Sequence, residues 1–129
     1  MSVTSPFATH EVFNQSPPMG DVDLYSSDAA LAGAVEAFGA GKSAVSLRGF
    51  GAAFGRVEMA ELARLANEYT PKLRTHDRQG HRADVVEFHP AYHRFMEMSI
   101  TAGVHSSVWA ADGSLVPGEH VARSARHYL

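Results

Sequence analysis

Apolar residues recur at helical spacing in several separate stretches of this chain, and that periodicity restricts the fold more than any single motif does. The clearest stretch runs from about Arg56 to Tyr69, where Met59, Leu62, Ala66 and Tyr69 repeat at intervals of 3, 4 and 3 and form a stripe expected to be buried. Glu61, Arg64 and Glu68 make a solvated stripe opposite, with a favourable i,i+4 pair, and Pro71 ends the helix. Ser26-Ser27-Asp28 supplies capping side chains for an earlier helix. Leu31, Ala34, Val35 and Phe38 then share one face, and Gly39 and Gly41 stop the pattern. A further stretch from about Ser43 to Phe54 carries Gly49 and Gly51, each costing about 1 kcal/mol relative to alanine inside a helix.

His89-Pro90 opens the next helix, because proline is tolerated at the first helical position. Its buried side is expected to collect Ala91, Tyr92, Phe95, Met96, Ser99 and Ala102, with Arg94, Glu97 and Thr101 facing water and Gly103 closing it. A last helix starts near Pro117, with Val121, Ala122, Ala125, Tyr128 and Leu129 on its apolar side. Between the helices, Asp77-Arg78-Gln79-Gly80 is turn chemistry, and Val86 and Phe88 alternate with Glu87 as in a short strand. The expectation is a mainly α fold with one short β-hairpin. Residues 1–26, punctuated by Pro6, Pro17, Pro18 and Gly20, read as an extended arm ahead of a helical domain over 27–129.

Composition narrows the function. The chain of 129 residues is one domain's worth, has a net charge of −3 and lacks a basic block, which argues against nucleic acid held by bulk charge. It contains no cysteine, so disulfides, thiolate zinc sites and a cysteine nucleophile are excluded. No apolar run approaches the roughly 20 residues that span a bilayer, and residues 1–9 lack the pattern of a secretory signal. A cytoplasmic domain is the expectation. Asn14-Gln15-Ser16 fits the glycosylation sequon, which is inert in that compartment.

The motifs for chemistry are incomplete. Gly39-Ala40-Gly41-Lys42-Ser43 resembles the end of a phosphate-binding loop, but the required first glycine is replaced by Glu36, whose carboxylate would repel phosphate. Gly49-Phe50-Gly51 with Gly55 approximates a dinucleotide fingerprint with its third glycine one residue late, and close helix packing is the better account. A small stand-alone nucleotide enzyme built on this stretch is therefore the weakest reading. His89 and His93 have the spacing of two ligands on one metal, yet His89 stands where a helix cap belongs. His120 and His127 share a face without further ligands nearby. No Gly-x-Ser-x-Gly occurs, and the carboxylate pairs fall on solvated faces.

Several segments in order are similar to a known family. His10-Glu11-Val12-Phe13-Asn14-Gln15, Asp23-Leu24-Tyr25, Ser27-Asp28 and Ala30-Leu31 resemble the opening of the AidB adaptive-response proteins, a branch of the acyl-CoA dehydrogenase superfamily. The resemblance continues through Glu61 to Asn67, Pro71, Asp77, Gln79-Gly80 and Arg82. It then includes Val86-Glu87-Phe88-His89-Pro90-Ala91-Tyr92-His93, Val104-His105, Trp109, Val121-Ala122-Arg123 and Ala125-Arg126.

The resemblance implies an acyl-CoA dehydrogenase-type helical N-terminal domain. Full subunits of that superfamily add a central β-domain and a C-terminal helical bundle, bind FAD chiefly through those two, and assemble as tetramers. AidB-like members are weak dehydrogenases at most, bind DNA mainly through the C-terminal part and are linked to the response to alkylating agents. The chain then corresponds to a truncated protein without the central β-domain and the C-terminal bundle. No catalytic, flavin-binding or metal residue is carried over, and the chain alone is expected to be inactive, without cofactor and without a membrane partner. Its expected role is structural: it packs on the flavin-bearing domains, with Phe13, Asn14, Tyr25 and Trp109 as candidate interface residues. The competing reading is a self-contained binding or assembly module derived from the same domain.

Overall fold

The computed structural model describes residue 16 and residues 19–129. Six α-helices occur among them: α1 (Leu24–Ser27), α2 (Ala29–Ala37), α3 (Ala44–Phe54), α4 (Val57–Glu68), α5 (Pro90–Thr101) and α6 (Glu119–Tyr128). A 3-10 turn, Gly41–Ser43, leads into α3. Strands β1 (Lys72–His76) and β2 (Arg82–Glu87) form an antiparallel hairpin between α4 and α5. The mainly helical class with one hairpin is as the sequence predicts.

Local chemistry sets most helix ends. The Asp28 carboxylate accepts from the Leu31 N–H at 2.8 Å and caps α2. At the other end the Ala40 N–H donates to the Val35 carbonyl at 2.9 Å and the Gly39 N–H to the Glu36 carbonyl at 3.1 Å. Gly39 has φ +82, so this is a Schellman closure that needs glycine, and it brings Val35 and Ala40 together in the core. His89 caps α5: its Nδ1 accepts from the Ala91 N–H at 3.2 Å, and Pro90 occupies the first helical position.

The principal core consists of Tyr25, Val35, Ala40, Leu47, Ala122 and Ala125, contributed by α1, α2, α3, α6 and the turn before α3. Met59 and Ala91 are buried separately, where α4 meets α5. Phe50 stacks on Phe54 at 4.3 Å between centroids, and Phe54 meets Phe95 at 6.0 Å, which links α3 to α5.

Several expectations are corrected. The arm assigned to residues 1–26 gives way to ordered structure before its end. Asp23 caps a short α1 by accepting from the Tyr25 and Ser26 N–H groups, and this turn lies across α3. Gly51 permits the approach: a Cβ there would meet the Tyr25 nitrogen at 2.7 Å. Phe38, Tyr69 and Tyr128 were expected on apolar faces but are 72%, 48% and 72% exposed. Each stands at or just beyond the end of its helix, where the chain departs from the packed face.

The hairpin differs too. Leu73 pairs with Val86 and Arg74 with Val85, but every residue of both strands is exposed, so the alternation buries neither face. Asp77 shapes the tip by accepting from the Gln79 and His81 N–H groups, and Gly80 adopts φ +87. Phe88, read as part of the strand, lies after it and stacks on Tyr92 at 4.3 Å.

Candidate functional site

Three features merit a functional reading: a buried charge network on α6, a cleft beside it and an exposed apolar surface. The network begins with Arg126, which lies two turns beyond Glu119 on the same face of α6. Its guanidinium side chain is 8% exposed, against 17% for Glu119, and Nη1 stands 3.1 Å from Glu119 Oε2. The same Nη1 donates to Ser107 Oγ at 3.1 Å, and Nη2 donates to Ser46 Oγ at 3.3 Å. The other Glu119 oxygen accepts from Ser43 Oγ at 2.8 Å. Burial pushes the Glu119 carboxyl up, but hydrogen bonds from Ser43, Arg126 and Ser107 and the Arg126 charge outweigh it and hold it below its ordinary range. Among the described residues no buried side-chain polar atom lacks a partner. The network is a closed clamp that fixes α6 against α3 and the loop after α5, rather than an acid or base aimed at a substrate.

The cleft, about 440 Å³, opens between α3 and α5. One wall is aromatic and aliphatic, with Phe50, Ala53 and Phe54; the other includes the polar stripe Arg94, Glu97 and Thr101, with Arg94 and Glu97 paired at 2.8 Å. Arg126 and Ser46, already engaged with each other, also line it.

The exposed surface is the feature that sequence reasoning missed. Tyr92, Met96 and Ile100, spaced four apart on α5, are 38%, 43% and 54% exposed. Tyr92 and Met96 are therefore corrected from core to surface. The inward side of α5 is taken by Ala91, Phe95, Met98, Ser99 and Ala102, all buried or half-buried. At about 100° per residue, the apolar positions cover about 200° of the helix circumference, twice the arc that one packed face requires. The polar stripe Arg94, Glu97 and Thr101 occupies the rest.

The proposed interface residues separate. Phe13 and Asn14 lie outside the described residues. Tyr25, expected at a contact with a neighbour, is 3% exposed inside the chain's own core, because the Asp23 cap turns it inward over Gly51. Trp109 is 57% exposed, in a turn where it bridges to Leu115.

The glycine-rich strings are structural. Gly39 to Ser43 connects two helices, with the Glu36 carboxylate placed against Gly41 and Lys42 exposed. Gly49 and Gly51 are inside α3, with no strand before them, and the space over Gly51 is filled by residues 23–25. These residues do not fit a flavin dinucleotide. Among the described residues no group of three or more His, Asp or Glu side chains is placed to hold a metal. His89 is used as a cap and stacks on Tyr69 at 5.1 Å. No described helix is long and apolar enough to cross a membrane.

Comparison with known proteins agrees with this architecture. The profile of the adaptive response protein AidB N-terminal domain matches residues 14–129. The putative acyl-CoA dehydrogenase AidB of Escherichia coli (strain K12) is 45% identical over 121 residues, covering 94% of this chain and 22% of that protein. Among solved structures, Caenorhabditis elegans ACDH-11 in complex with C11-CoA superposes with a TM-score of 0.69 over 92% of this chain and 21% of that one. At 20% identity that likeness is one of fold. The chain thus spans about a fifth of the length of these relatives.

Proposed function

Because the chain belongs to the AidB N-terminal domain family, we propose that it is the structural and assembly domain of an AidB-like, acyl-CoA dehydrogenase-type flavoprotein. In this reading the flavin and the oxidoreductase chemistry belong to further domains of the same polypeptide, and the whole acts as a cytoplasmic homotetramer in the alkylation-damage response. DNA contacts belong to the C-terminal part. The part of the chain ahead of α1 is an arm whose Phe13 and Asn14 contact a neighbouring subunit, and Trp109 is a further contact.

The observation that carries the reading is the two-sided apolar arc of α5, with Tyr92, Met96 and Ile100 left in water. A solvent-facing helix keeps such residues on one side only, and an exposed row of this kind marks a surface built to be covered. The test joins the chain to the remaining domains of an AidB-type protein. The joined protein should purify yellow and as one oligomer, whereas the 129-residue chain should be colourless. A flavin absorbance band in the isolated chain would defeat the assignment of flavin to other domains.

One observation favours the alternative of a self-contained module. The core around Leu47 is closed and the Arg126 network is fully partnered, as in a domain that folds alone. That reading requires the isolated chain to unfold cooperatively from a monodisperse state.

A further inference from the structure

We propose that the cleft between α3 and α5 binds a small, uncharged aromatic molecule that carries a carbonyl, with Arg126 donating to the carbonyl oxygen. The cleft is about 440 Å³, within the range of roughly 300–1,000 Å³ common to small-molecule sites. Phe50 and Phe54 stack at 4.3 Å and, with Ala53 and Met98, form its apolar side. Two phenyl rings accept a third by offset stacking or edge-to-face contact, and a methionine adapts its shape to the ring's edge.

The polar groups set the charge and the functional group of the ligand. A guanidinium carries five N–H donors and no acceptor. Arg126 spends two of them from Nη1, on Ser107 and Glu119, and one from Nη2, on Ser46. Its Nε–H and the second Nη2 proton donate to no group among the described residues. Because no buried side-chain polar atom among those residues lacks a partner, Nε is within reach of open space, and Arg126 lines the cleft. A side chain only 8% exposed therefore offers unspent donors to whatever enters. Charge is already balanced around it: Glu119 pairs with Arg126, and Glu97, itself in the lining, pairs with Arg94. A carboxylate or phosphate would bring an uncompensated charge beside Glu97, and an ammonium would bring one beside Arg126. A carbonyl oxygen accepts from the guanidinium without adding charge.

The test titrates the 129-residue chain with three planar bicyclic probes, followed by two-dimensional NMR. Coumarin is uncharged and has a lactone carbonyl, indole is uncharged with an N–H donor and no carbonyl, and naphthoate is an anion. Coumarin should bind saturably, with its largest shifts at the Arg126 Nε–H and at the amides of Phe50, Phe54 and Met98. Indole forgoes the hydrogen bond to a charged donor and should bind about tenfold more weakly, and naphthoate at least as weakly as indole. Ala53→Trp, which fills the cleft from its apolar side, should remove coumarin binding. The paired variant Arg126→Met with Glu119→Leu should reduce it to the level of indole. Saturable shifts elsewhere on the chain, or no saturable shift at all, would overturn the site. Naphthoate binding as tightly as coumarin would overturn the uncharged class of ligand. Indole matching coumarin, or coumarin binding unchanged in the paired variant, would overturn the role of Arg126.

Discussion

Glu119 and Arg126 stand seven residues apart on α6, and their 3.1 Å ion pair ties that helix to three serines on other segments. Ser43 belongs to the turn before α3, Ser46 to α3 itself and Ser107 to the loop after α5. One helix face thus anchors three parts of the domain.

Removing one partner should cost far more than removing both. Arg126→Ala leaves Glu119 buried beside two hydroxyls and should destabilise the chain by about 3 kcal/mol. The double variant Arg126→Met with Glu119→Leu replaces the charges by apolar volume and should recover most of that loss. Urea unfolding of both variants gives the comparison.

The Glu119 carboxyl is held below its ordinary range in the folded chain. Its contribution to stability is therefore complete above the pKa of an unfolded glutamate, near 4.3, and is lost as the pH falls through the lower folded value. Asp23, held low by its hydrogen bonds to the Ser26 side chain and backbone, acts in the same direction. Stability should fall between about pH 5 and pH 3, and Glu119→Gln should flatten that slope. Unfolding curves at a series of pH values read both effects.

The two glycines inside α3 should respond oppositely to alanine. A Cβ at Gly51 meets the Tyr25 nitrogen at 2.7 Å and Asp23 Oδ1 at 2.8 Å, so Gly51→Ala should destabilise by about 2 kcal/mol. Gly49 is exposed and has nothing within 4 Å of that position. Gly49→Ala should stabilise by about 0.5–1 kcal/mol. Thermal unfolding distinguishes the two.

Trp109 is the chain's single tryptophan and is 57% exposed. Trp109→Ser should change the stability of the isolated chain by no more than about 0.5 kcal/mol. In a full-length protein that carries this domain the same substitution should weaken assembly, read as a shift toward smaller species on dilution.

Much of the fold was legible because the helix ends are written in local chemistry. Asp28 and Gly39 bracket α2, His89-Pro90 opens α5, and Glu61, Arg64 and Glu68 pair on the outer face of α4 as their spacing predicts. What was missed depends on contacts distant in sequence. Tyr25 is buried because Gly51, 26 positions later, leaves room for it. Glu119 and Arg126 stand in the first and last turns of α6, and the serines at 43, 46 and 107, distant in sequence, make their site an interior one.

The outward row on α5 was hidden for another reason. Periodicity identifies apolar positions, and Tyr92 and Met96 were assigned to the domain's own core along with Phe95 and Ala91. The two kinds of position are alike in sequence and differ only in what covers them. An arc of about 200° was the available signal, since one packed face needs roughly half of that.

Side-chain footprinting by hydroxyl radicals tests the assembly role most directly. Tyr92, Met96 and Trp109 should be modified readily in the isolated chain and be strongly protected in a full-length protein that carries this domain, while Phe38 in the isolated chain sets the rate for an open aromatic. Equal modification of Tyr92, Met96 and Trp109 in the two proteins would contradict the account.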